Sequence, residues 1–290
     1  MKQWRSAFPA AIVTLILLLS YNLVCVAETK AAEPWSPKIL SDGQPDVRGF
    51  WSAKYSGTYS LVNGGENGMA SWPGKDGKVL PRAADGTIPF REKRPSRIID
   101  PVDGQVPFQP WARAKQQDLL LHFENPIAPG YVEGLARCFP GGVSRQQFGG
   151  LEIRQYPGYI IFIGGMSNRI IPLDGQPHIP SNIKLWMSDS RGHWEGNTLI
   201  VDVTSSNSKH RLSNQGDFAS DKVHITEKFV FLDANSYRYE ATYDDPSVFT
   251  RPWTLISPQN RAHTKEPNYE AEESSCHEGD REFYALEPKR

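Results

Sequence analysis

Between residues 151 and 256 the chain is a succession of short β-forming runs broken by turn residues, and no other feature constrains the fold as strongly. Runs 151–156 and 159–163 flank Pro157-Gly158, run 168–173 ends at Asp174-Gly175, and run 183–189 follows. Trp194-Glu195 and run 198–204 flank Gly196-Asn197, while runs 223–232 and 237–243 flank Asp233-Ala234-Asn235. Run 248–256 closes the series, with Pro252 marking an edge or a bulge. Runs joined by tight turns pair antiparallel, so the expected fold is mainly β: an antiparallel β-barrel or strongly curved sheet with one or two short helices.

One helix is expected, from about Pro110 to Phe123, because proline suits a first helical turn, alanine and leucine favour helix, and Asn125-Pro126 stops it. Ahead of it, residues 46–51 (DVRGFW) form a first strand candidate after a Pro-, Ala- and Ser-rich lead-in over 28–45. Residues 57–107, rich in Gly and Pro with little periodicity, read as a long irregular excursion. A loop of that length is rarely idle, and its expected role is to cover a face or a pocket mouth together with the helix. The polar chain after Pro258 reads as loop plus a short helix.

The N-terminus has another character. Lys2 and Arg5 precede an almost wholly apolar run over 10–19, and small residues end at Ala27, which together read as a secretory signal peptide over 1–27. The apolar run is shorter than the roughly 20 residues of a spanning helix, which weighs against an uncleaved anchor. Val24 weighs against a lipoprotein signal at Cys25. Residues 28–290 are then one β-rich domain, periplasmic or secreted, with no stable membrane span after cleavage.

With 32 Lys and Arg against 33 Asp and Glu, and no basic cluster interleaved with aromatics, nucleic acid and anionic membrane are poor partners. A small-molecule ligand or substrate suits the chain better, and oligomeric state is open. Cys138 and Cys276 remain after cleavage, and an oxidising compartment permits either a disulfide or two free thiols.

The segments SDGQPDVRGFW (41–51), Arg137-Cys138, RIIPLDGQPH (169–178), GHWEGNTLIVD (192–202), residues 245–253 and CHEG (276–279) resemble a large family of mostly uncharacterised exported bacterial β-rich proteins. The resemblance spans most of the mature chain, with Asn197 standing where similar proteins usually carry Asp in what reads as a turn. It implies export and a shared architecture, and it supplies no reaction.

Chemistry enters through side-chain parity. On run 223–232, Val223, Ile225, Phe229 and Phe231 share one face, and Glu227 lies on it, while His224, Thr226 and Lys228 face the other way. Arg169 shares a face with Ile171 and Leu173, so an inward Arg169–Glu227 pair is expected, either structural or catalytic. His178 follows the Asp174-Gly175 turn, either as an exposed residue or as a proton-exchanging group. Asp202 alternates with Leu199, Val201 and Val203, which places it on a polar face or in a barrel lumen.

Cys276-His277-Glu278 is a weak nucleophile signal, because chain neighbours point apart. The seven histidines show no His-x-His or His-x-x-x-His spacing, so no metal is expected. Nor is there a Gly-x-Gly-x-x-Gly, a phosphate loop or a Gly-x-Ser-x-Gly elbow, so no cofactor is expected.

Two function classes follow, with a structural envelope protein as a third. The first is a cofactor-independent lyase, isomerase or hydrolase: Glu227 or Asp202 as general base, His178 or His224 as proton donor, Arg169 stabilising negative charge. The second is a non-catalytic periplasmic binding protein. An enzyme places at least two of these five residues in one cavity, whereas a binding module shows an aromatic pocket without them.

Overall fold

The alternation of apolar and polar residues decides which side of each strand turns inward, and the tight turns decide which strands are neighbours. The computed structural model describes residues 35–57, 60–62, 95–123, 126–165 and 167–270, all in the second of the chain's two units, Pro34–Arg290. Its strands are β1 (Gly49–Ala53), β2 (Ile98–Asp100), β3 (Gly150–Tyr156), β4 (Tyr159–Gly164) and β5 (Ser167–Pro172). They continue with β6 (Asp189–Glu195), β7 (Thr198–Thr204), β8 (His224–Asp233), β9 (Ser236–Asp244) and β10 (Trp253–Arg261).

All pairings in the sheet are antiparallel, in the order β5-β4-β3-β1-β10-β9-β8-β7-β6, with β2 joined to β10. The two ends, β5 and β6, come alongside one another, so the sheet is a nearly closed barrel. Side chains bring the ends together. Arg169 of β5 donates to Ser190 Oγ of β6 at 2.9 and 2.8 Å. Gly192 of β6 has no side chain to hold the strands apart: a Cβ there would stand 2.8 Å from Ile171 and 2.9 Å from Leu173.

Inward positions recur every second residue, as the pleat requires. Phe229, Phe231, Tyr237, Tyr239, Tyr243 and Trp253 fill one side of the interior, with Leu151, Ile153, Ile160 and Phe162 opposite. The remaining space is filled by a short helix, α2 (Val143–Gln146), all four of whose residues are buried. Its Ser144 hydroxyl meets the hydroxyls of Tyr239 and Tyr243 at 2.8 and 2.6 Å. Just beyond it, Gln147 Oε1 accepts from Tyr237 at 2.9 Å, and the Gln147 carbonyl accepts from Ser257 and Gln259 at 2.9 and 2.6 Å. Gln146 reaches the opposite wall, donating to the carbonyls of Phe162 and Ser167 at 3.2 and 2.9 Å. The barrel is therefore a packed core with a polar centre rather than an open lumen.

The expected mainly β barrel-like fold is what forms, and the expected helix is α1 (Pro110–Leu121). Three local readings need correction. Run 183–189 is not a strand: residues 181–187 are turns with a single bridge from Leu185 to Ser206, and Ser188 has φ +58°, so the extended chain starts only at Asp189. Run 248–256 is displaced. Val248 and Phe249 form a turn by donating backbone N–H groups to the Asp245 carbonyl at 3.0 and 2.8 Å, and β10 starts after Pro252.

Pro258 does not end the sheet either; it lies within β10, opposite Arg238, and its carbonyl accepts from Lys54 at 2.9 Å. The second of the one or two helices expected is α2, at a place the sequence does not indicate. It is too short to show periodicity, and it is held by tertiary hydrogen bonds rather than propensity. Residues 1–34, most of the 57–107 excursion, and Cys25 and Cys276 lie outside the described residues, so the signal peptide and the cysteine pairing fall there.

Candidate functional site

The five residues singled out by parity fall into two groups on opposite sides of the same strands. Inside the barrel, Glu227 is 0% and Arg169 3% exposed. Arg169 grips both carboxylate oxygens, one at 3.1 Å through Nη1 and the other through Nη2, and the Tyr239 hydroxyl donates to Oε1 at 2.6 Å. Burial, together with the Glu227 charge, pushes the Tyr237 and Tyr239 hydroxyls well above the ordinary tyrosine range. A carboxylate sealed from solvent and gripped at both oxygens has no oxygen to offer a substrate. The pair reads as the structural alternative: it joins β5 to β8 across the interior and holds the polar centre together.

On the outer surface, His178, Asp202 and His224 meet. The connection after β5 folds back so that His178 Nε2 lies 2.8 Å from Asp202 Oδ2, and His224 Nε2 contacts Asp202 Oδ1. The other nitrogen of His178 lies 2.6 Å from Asp189, which also receives the Ile179 backbone N–H at 3.2 Å and faces the Arg191 guanidinium at 3.3 Å. Burial alone would raise the Asp202 carboxyl, but hydrogen bonds from His224 and His178 outweigh it and hold the group below its ordinary value. Asp202 thus belongs to the polar face and not to a lumen. The cluster is open to water, with Asp202 and His224 side chains about half exposed.

Among the described residues no three or more His, Cys, Asp or Glu side chains are placed to hold a metal ion, and no helix is long and apolar enough to cross a membrane. Cys276-His277-Glu278 lies outside the described residues.

Neither group lines a cleft that the described residues form. Its volume is about 600 Å³, and its walls come from α1 and the loops, with no strand residue. Trp111, Phe139, Trp186 and Phe218 supply an aromatic lining. Phe139 and Trp186 stack at 4.4 Å with their planes 7° apart. Lys115 sits 4.4 Å over Phe218, and Arg137 5.2 Å over Phe139.

His210 and Arg211 complete the wall, both nine-tenths buried. Arg211 Nη2 donates to the carbonyls of Gly130 and Tyr131 at 3.0 and 3.2 Å. Among the described residues, its Nη1 and His210 Nδ1 have no hydrogen-bond partner. Burial, with the charge of Arg145 adding to it, pushes the His210 ring down to about 4. Two glycines make the site possible. Gly142, at φ +85°, lies so close that a Cβ would come within 2.4 Å of the His210 ring, and Gly216, at φ +84°, lets its loop approach Leu119 of α1.

This cleft lies among loops and α1, while α2 and aromatic side chains occupy the described interior of the barrel. Sequence reasoning missed these lining residues because loop positions have no period. Two signals pointed to them. The β7–β8 connection, residues 205–223, is far longer than a hairpin turn, and Lys209-His210-Arg211 concentrates three basic side chains within it. No family model, curated protein or solved structure matches the chain.

Proposed function

We propose that this is an exported protein that binds a small organic molecule in the loop cleft without transforming it. One observation carries the proposal: an aromatic cleft of about 600 Å³, in the range of ligand sites, contains none of the five acid–base candidates. That was the pattern distinguishing a binding module from an enzyme. The test is to incubate the purified full chain with a metabolite extract and identify both retained and converted compounds by mass spectrometry. The expected result is a stoichiometric compound recovered unchanged, and lost from Phe139→Ala. Turnover of any compound would replace binding with catalysis.

The outer cluster favours the second reading, a cofactor-independent lyase, isomerase or hydrolase. Asp202 flanked by His178 and His224 is an accessible proton-exchanging arrangement. It would act at an open surface, where water competes for every transferred proton. Conversion abolished by Asp202→Asn would establish it.

A further inference from the structure

The binding reading leaves the ligand's chemistry open, and the charges around the cleft narrow it. Lys115, Arg137, Lys209 and Arg211 line it, against a single acidic residue, Asp221. Asp221 is already engaged, 3.8 Å from Lys184. Among the described residues, none of Lys115, Arg137 and Lys209 has a carboxylate within ion-pair distance. Two of these cations lie instead over aromatic rings of the lining, which keeps them at the cleft wall.

A deeper layer holds two guanidinium groups. Arg145 and Arg211 are both buried, and among the described residues Glu133 is the one carboxylate whose charge acts on either. Glu133 spends one oxygen on Arg145, at 2.7 Å, and the other on the Leu135 backbone N–H, at 3.1 Å. Among the described residues, Arg211 is left with carbonyl partners on Nη2 and no carboxylate of its own. A guanidinium at a cleft wall that is met by carbonyls and not by a carboxylate of its own leaves its charge for an anion to meet.

We infer that the cleft takes a small aromatic carboxylate, its ring among Trp111, Phe139, Trp186 and Phe218 and its acidic group at Arg211. The inference rests on the binding reading above. The aromatic rings account for the ring of the ligand, the cations of the lining for its charge, and the Arg211 guanidinium for its orientation. A neutral aromatic would satisfy the walls and leave the guanidinium unmet. A cation would be repelled by four positive side chains.

The test uses the full chain and three probes of one shape: 1-naphthoate, 1-naphthalenemethanol and 1-naphthylmethylamine. Binding is followed by quenching of tryptophan fluorescence, since Trp111 and Trp186 line the cleft, and by equilibrium dialysis. The naphthoate is expected to bind one per chain, about tenfold or more tighter than the alcohol, with the amine weakest. Arg211→Gln is expected to weaken the naphthoate about tenfold and leave the alcohol unchanged. Because Arg211 is buried, Lys209→Gln serves as a second variant: Lys209 is exposed, and its replacement is expected to weaken the naphthoate by a smaller factor without disturbing the fold.

Equal binding of the three probes overturns the anion assignment while the cleft remains a binding site. So does capture of only neutral or cationic compounds from the metabolite extract. If neither the probes nor any extract compound binds, the inference and the binding reading fall together.

Discussion

Strands β7 and β8 carry acidic groups on both faces, and the two faces treat them in opposite ways. Val201 lies opposite Glu227 and Asp202 opposite Thr226, so one step along the ladder moves from the sealed interior to solvent. Inside, Glu227 has Arg169 and Tyr239 on its oxygens and no exposure. Outside, Asp202 has two histidines on its oxygens and is half exposed. Each carboxylate is hydrogen-bonded at both oxygens, so partner number does not separate them. Burial does: removing a partner inside strands a charge in low dielectric, whereas outside water takes its place.

The largest effect expected from that difference is on the inner face. Arg169→Met leaves Glu227 buried without its cation, and a loss of about 3–5 kcal/mol is expected in urea unfolding. Replacing both, Arg169→Leu with Glu227→Leu, is expected to return most of it. A single variant that costs under about 1 kcal/mol would place Glu227 in an environment no drier than that of Asp202.

A buried imidazole extends the contrast to pH. His210 is pushed from an ordinary 6.5 down to about 4. Between those values the unfolded chain binds a proton that the folded chain refuses, so stability falls as pH drops through this window, by up to about 3 kcal/mol. His210→Gln is expected to flatten the slope between pH 6.5 and pH 4 relative to the parent. An unchanged slope would mean that His210 takes up its proton freely in the folded protein.

At the β5–β6 seam, Gly192→Ala sets a methyl group against Ile171 and Leu173, and a cost of about 1–3 kcal/mol is expected from thermal unfolding. The smallest effect belongs to the outer face. Asp202→Asn is expected to cost no more than about 1 kcal/mol at neutral pH and to leave ligand capture unchanged. Because the Asp202 carboxyl is held below its ordinary 3.8, its contribution is present above that pH and fades only as pH falls through the lower folded value. A loss as large as that of Arg169→Met would end the contrast between the faces.

These faces were legible in the sequence because a strand's period of two separates them without any knowledge of the partner strand. Parity put Glu227 and Arg169 inward together and His224 outward, and that is how they lie. It left Asp202 between an outer face and a lumen, since the alternation does not say whether the second side of a sheet is enclosed. The cleft was not legible, because its lining comes from α1 and from loops whose neighbours are set by tertiary contacts. Trp186 was read as part of a strand, and it stacks on Phe139 from a turn instead. The short α2 was hidden for a related reason: four residues carry no helical period, and Gly142 with the hydroxyls of Tyr239 and Tyr243 decides its place.

The seam between β5 and β6 works as a clasp. Elsewhere around the ring, neighbouring strands are welded by ladder hydrogen bonds, but Arg169 on Ser190 and the bare Gly192 fasten the two ends. A clasp of this kind closes the ring through side chains, and because Arg169 also holds Glu227, the seam is tied to the polar centre of the barrel. The strap that crosses it, residues 173–188, carries His178 to the outer cluster and Trp186 to the cleft. The width of the clasp and the spacing of those two side chains are therefore set by one stretch of chain.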